Sequence, residues 1–122
     1  MNTVSIYKCL CDLQRLRIFN LLSEGPLCVC HLTEILETDQ VKMSKQLRYM
    51  KALGMVEAAR AAQWMVYRLA EPTHPLLDEN LKCLQDCANE EVRFAEDLAR
   101  RRELLARLDA SECRSPSMQI KL

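Results

Sequence analysis

Seven cysteines in 122 residues are the chemistry this chain offers first. Cys28 and Cys30 flank a single valine and are followed by His31. Cys83 and Cys87 lie four apart, Cys9 and Cys11 two apart, and Cys113 stands alone near the C-terminus. Thiolates are the ligands of soft ions. On an ideal helix, residues two apart point to nearly opposite faces. For Cys28 and Cys30 to hold one ion, the start of their helix must therefore distort. Cys83 and Cys87 share one helix face and can form a second dithiol site or lend a ligand. Buried cysteine is also a common small hydrophobe. That is the first reading of Cys9 and Cys11, while Cys113 reads as a bystander and His31 and His74 as capping or surface residues.

The cysteine count is odd, Gly (2) and Pro (4) are scarce, and residues 1–7 lack a basic region leading into an apolar run. These features argue against a secreted disulfide framework and for the reducing cytoplasm. No apolar run approaches the roughly 20 residues of a membrane span. Apolar residues make up 49% of the chain and aromatics only 5%, so the expected core is aliphatic and the expected fold mainly helical.

The elements that must position the cysteines follow from periodicity. Apolar residues from Ile6 to Leu22 predict a helix ending near Cys11 and a second from Leu13 to Ser23, capped by Asp12 and stopped by Gly25-Pro26. A short helix is expected over Cys28–Leu36, broken at Thr38-Asp39. Asp39 then caps a helix from Gln40 to Ala52, whose buried stripe is Met43, Leu47 and Met50 and whose end is Gly54. Val56–Arg60 and Gln63–Leu69 pair as a β-hairpin with its tip near Ala61-Ala62. Thr73-His74-Pro75 starts one long helix over Leu76–Leu108, striped by Leu77, Leu81, Leu84, Ala88, Val92 and Ala95. Residues 111–122 read as a flexible tail after a single domain, 1–110.

Net charge is zero, with 17 basic and 17 acidic residues, yet its distribution is uneven. Residues 40–70 hold Lys42, Lys45, Arg48, Lys51, Arg60 and Arg68 against the single acid Glu57. A local basic segment can steer a neutral chain to phosphate. Helix, tight connection, basic helix and hairpin together predict a winged helix-turn-helix: mainly α, with a β-hairpin wing and a reading helix for the major groove of double-stranded DNA.

Three stretches resemble the ArsR/SmtB family of metal-responsive repressors. Asp12-Leu13-Gln14-Arg15-Leu16-Arg17-Ile18 is similar to the family's D-x-x-R-L-R-I start. Leu27-Cys28-Val29-Cys30-His31-Leu32 is similar to its L-C-V-C-D-L metal box, with His31 in place of the usual Asp. Gln40–Val56 with Trp64–Leu69 is similar to its reading helix and wing. The resemblance implies a homodimer on operator DNA, with no catalysis and no permanent cofactor. As(III) or Sb(III) would be the inducer at Cys28 and Cys30, with Cd(II) or Pb(II) the alternative. A third cysteine three residues after the second would complete an arsenic site, but Thr33 stands there. The third ligand is then absent, external, or one of Cys83, Cys87, Cys9 and Cys11.

The resemblance puts Gln40, Lys42, Ser44, Lys45 and Arg48 on or near DNA, with Arg60 on the wing. Gln can read adenine, Lys can reach guanine or phosphate, and Ser can touch phosphate. Bending the start of the Cys28 helix would tilt the reading helix packed on it. A repressor of the same fold that senses thiol oxidation or persulfides is the other expectation. A cysteine enzyme is disfavoured, since no Gly-rich anion cradle surrounds Cys28.

Overall fold

The structure is a computed structural model and describes residues 2–71, 74–86 and 92–110. Helix α1 (Thr3–Leu10) is capped by Asn2, and α2 (Leu13–Leu22) by Asp12, whose carboxylate accepts from the Arg15 N–H at 3.0 Å. A short strand β1 (Leu27–Cys28) leads into α3 (Val29–Leu36) and α4 (Gln40–Ala52). The turn between α3 and α4 passes through Glu37 in the left-handed region (φ 51°), a position glycine usually takes. Asp39 then accepts from the Lys42 N–H at 2.8 Å and opens α4. At the far end of α4, Gly54 (φ 79°) donates to the Lys51 carbonyl and Met55 to that of Met50, closing the helix as expected.

Strands β2 (Val56–Ala61) and β3 (Trp64–Leu69) form the hairpin, in register from Val56 opposite Leu69 to Ala61 opposite Trp64. Its two-residue tip places Ala62 at φ 54°, a left-handed conformation that Gly or Asn would favour, although neither stands there. The sheet has a third member that periodicity did not reveal. β1 pairs antiparallel with β3, Leu27 opposite Tyr67 and Cys28 opposite Val66, giving the order β1-β3-β2. Two residues are too short to show an alternation.

The core sits between α1–α4 and the sheet and is aliphatic, around Ile6, Ile18, Leu21, Leu32, Met43, Leu47 and Met50, with Phe19 its largest member. Met43, Leu47 and Met50 are wholly buried, as the stripe on α4 predicts.

Of the expected C-terminal helix, two helical stretches are described, on either side of residues 87–91, which lie outside the described residues. α5 (Pro75–Asp86) is capped by His74, whose Nδ1 accepts from the Leu76 N–H at 3.1 Å. α6 (Val92–Ala110) packs across both α2 and α3. The stripe drawn through Val92 and Ala95 is therefore in the wrong phase, and both are exposed. The covered face of α6 is Phe94, Asp97, Leu98, Arg101 and Leu104. Two charged residues lie in that face, which hid it from a hydrophobicity pattern. Cys87, Ala88, Thr73 and the tail with Cys113 lie outside the described residues. No described helix is long and apolar enough to cross a membrane.

Candidate thiol site and nucleic-acid interface

Cys28 is not in the helix. It occupies the extended residue before α3 (φ −80°, ψ 161°), on β1. The expected conflict between its direction and that of Cys30 therefore does not arise, and no distortion is needed to bring the two thiols together. Their sulfurs lie within 4.8 Å of each other. His31 joins them: one donor atom each from Cys28, Cys30 and His31 lies within 4.8 Å of the other two. Among the described residues this is the group of three side chains able to ligate a metal ion.

Burial disfavours charge on both Cys28 and His31. Burial pushes the Cys28 thiol up to about 12, and the Cys30 thiol adds to the rise. The backbone N–H groups of Cys30 and His31 oppose it from the first turn of α3. Burial holds His31 below the ordinary histidine value, against the attraction of Glu34 and with help from Arg101. His31 is 7% exposed, so its reading as a surface or capping residue is corrected. Thr33 turns back, its hydroxyl donating to the Cys30 carbonyl at 2.8 Å.

The two thiols line a cleft of about 450 Å³. One wall is α4, through Gln40, Ser44, Arg48 and Lys51; the other is the wing, through Gln63, Trp64 and Met65. Of the sequence-predicted DNA residues, the structure thus places Gln40, Ser44 and Arg48 together beside the thiols. Lys42 and Lys45 line a separate hollow against α2, with Gln14, Arg15 and Tyr49. Arg60 is exposed on β2, opposite Met65. The wing's other arginine, Arg68, is engaged by Glu57 at 2.7 Å. Lys51, Gln63 and Trp64 were missed, since their nearness to the reading helix depends on how the hairpin folds back.

The other described cysteines lie apart from this group. Cys9 is wholly buried in the core, where burial raises its thiol pKa despite nearby Arg15. Cys11 and Cys83 line another cavity, between α1, α2 and α5.

The two arginines of the D-x-x-R-L-R-I stretch are scaffolding. Arg15 donates to the Cys9 carbonyl at 2.7 Å and to Gln46 at 3.1 Å, and lies 4.6 Å from the centre of the Tyr49 ring, tying α1 and α2 to α4. Arg17 donates twice to Asp97, at 2.8 and 2.9 Å, fixing α6 to α2. Asn20 adds a bond to the Phe94 carbonyl at 3.2 Å. Arg100 and Arg107 reach α3, at the Ile35 carbonyl and Glu34.

A helix-turn-helix whose second helix is exposed beside a β-wing defines a winged helix-turn-helix regulator. Residues 9–58 match the model of the bacterial regulatory protein, arsR family. An arsenic resistance transcriptional regulator of Pseudomonas putida is 40% identical over 87 residues, which cover 70% of this chain and 67% of that protein. The arsenical resistance operon repressor of Escherichia coli is 36% identical, over 74% of this chain and 81% of its own. The chain belongs to the arsR family of bacterial transcriptional regulators, which are not enzymes. Among solved structures, HlyU from Vibrio cholerae superposes with a TM-score of 0.62 at 25% identity, over 68% of this chain and 87% of that one. The homodimeric winged helix-turn-helix DNA-binding domain from Mycobacterium bovis, described as a possible ArsR-family regulator, gives 0.59 at 26% identity, over 73% and 80%.

Proposed function

We propose that this chain is a cytoplasmic homodimeric repressor that leaves its operator when arsenite or antimonite binds Cys28 and Cys30. The observation that carries the reading is the cleft: the thiol pair opens into the space between the reading helix and the wing. Cys28 lies on a strand paired with the wing, and Cys30 on the helix packed against α4. A ligand bonded to both sulfurs ties these elements together, and the spacing of α4 and wing on DNA then depends on it. Arsenite bound by two chain thiolates has a third position left for water or an external thiol. The names of the P. putida and E. coli relatives agree with an arsenic inducer.

Gln40, Ser44, Lys45 and Arg48 are assigned to DNA with Lys42, and Arg60 to backbone phosphate from the wing. The dimer is supported by an apolar groove of about 470 Å³ between α1 and α5, lined by Tyr7, Leu10, Leu16, Phe19 and Leu84. Val4 and Tyr7 add exposed apolar surface along α1.

The test is arsenite titrated into the reduced protein on its own promoter DNA. Release of the wild type but of neither Cys28→Ser nor Cys30→Ser is the expected result. DNA that stays bound in saturating arsenite sinks the arsenic reading. A cadmium resistance regulatory protein homolog of Staphylococcus aureus, 34% identical over 57% of this chain and 58% of its own, makes Cd(II) the next inducer to titrate. Release by peroxide or polysulfide, with no ion present, points instead to thiol oxidation.

A further inference from the structure

We infer that Val41 reads sequence in the operator, packing its methyl groups against the 5-methyl group of a thymine in the major groove. The inference rests on the reading of this chain as an operator-binding regulator, and adds a specificity-determining residue to its DNA interface.

Three observations carry it. The first is position. Val41 is the second residue of α4, and the N-terminal residues of a reading helix are those that reach base edges. At about 100° per residue, Val41, Lys45, Arg48 and Ala52 form one stripe. It lies opposite the buried Met43, Leu47 and Met50, and all four of its members are exposed. This is the face of α4 that projects furthest from the core. Gln40 and Ser44 flank it on the side of the wing, Lys42 and Gln46 on the side of α2.

The second is that the fold leaves Val41 uncovered. It is 65% exposed, the most exposed large apolar side chain among the described residues. Several of the others have a place: Val4 and Tyr7 belong to the α1 surface assigned to the dimer, Tyr49 lies beside the Arg15 guanidinium, and Trp64 lines the thiol cleft. Val41 is outside the core cluster, and β-branching does not favour a helix, so its type serves neither packing nor propensity. The third is charge. Lys45 and Arg48 follow it on the same stripe, and α4 contains no acidic residue. A cationic stripe of this kind fits the phosphate-lined groove of DNA.

The chemistry of the groove then selects the base. Every base pair presents donors or acceptors on its major-groove edge, and thymine alone adds an apolar group, its 5-methyl. Set against a donor or acceptor, the valine would strip water from a polar group and return no hydrogen bond. Set against the methyl, it buries apolar surface on both sides. Withdrawing a methyl-sized group from water is worth roughly a fourfold change in affinity. A homodimer meets one such thymine in each half-site.

The experiment uses the reduced full chain on its own promoter DNA, with the protected region first mapped by footprinting. Each thymine of that region is replaced in turn by deoxyuridine, which keeps base pairing and lacks only the methyl group. Wild type and Val41→Ser are titrated against every duplex. In the wild type, one position per half-site should weaken binding about fourfold, while in Val41→Ser the same replacement should change it less than about 1.5-fold. Any altered stiffness of the duplex acts on both proteins alike and cancels in the comparison. Val41→Ser is an exposed substitution outside the core, so the variant keeps the wild-type thermal transition.

Wild-type binding indifferent to every deoxyuridine, or equal sensitivity of the two proteins at every position, would overturn the assignment of Val41 and leave operator binding intact. A wild type that binds no promoter DNA removes the regulator reading itself, and Val41 with it.

Discussion

Asp97→Ala tests the anchoring of α6, and through it the frame around α3. The Asp97 side chain is 1% exposed and receives both Arg17 bonds, at 2.8 and 2.9 Å. The pair raises the Arg17 pKa through that hydrogen bond. Removing one partner of a buried ion pair costs about 3–5 kcal/mol, largely because the other charge is left behind. The Arg17 side chain is 15% exposed and can partly rehydrate, which favours the lower end, about 3 kcal/mol. In a domain of this size each kcal/mol moves Tm by about 4–8 °C, so a drop of roughly 12–24 °C is expected. Urea unfolding followed by circular dichroism, at one fixed protein concentration, measures it. Arg17→Met with Asp97→Leu together should regain most of the loss, since an apolar pair carries no stranded charge. A loss below about 1 kcal/mol for Asp97→Ala would refute the claim that this pair holds α6 to α2.

Four further outcomes follow from the same structure. Lys45→Ala should weaken operator binding and lower the salt slope by about one, from titrations at several ionic strengths; an unchanged slope removes Lys45 from the phosphate contacts. Brief alkylation of the native protein, read by mass spectrometry, should label exposed Cys30 and spare buried Cys9 and Cys28. Cys9 should also make stability fall at alkaline pH. Its folded pKa is raised by burial, so its contribution is full below the ordinary thiol value near 8.5 and is lost as pH climbs through the folded one. A Cys9→Ala variant with the same alkaline slope as wild type would contradict this. Gly25→Ala should cost about 1–3 kcal/mol in thermal unfolding, because φ is +131° and the new Cβ would sit 3.2 Å from the Arg101 guanidinium.

The local signals in the sequence were enough for most of the helical frame. Asp12 and Asp39 cap the helices they precede, Gly54 ends α4, and Met43, Leu47 and Met50 face inward, because caps and periodicity act over three or four residues. The Leu27–Leu32 box and the basic segment likewise named Cys28, Cys30, Gln40, Ser44 and Arg48, which the fold brings around one cleft. What the sequence could not determine depended on contacts between distant segments. Pairing of Leu27-Cys28 with β3 takes Cys28 out of the helix, reversing the expected directions of the two thiols. Packing of α3 buries His31 beside them, and the folded hairpin sets the wing opposite Arg48 and Lys51 across the cleft. The Asp97-to-Arg17 clamp on α6 escaped a hydrophobic pattern because a charge can be buried wherever a partner 80 residues away satisfies it. Local sequence determines the backbone's short-range preferences. Only the folded chain determines which side chains lose their water and meet.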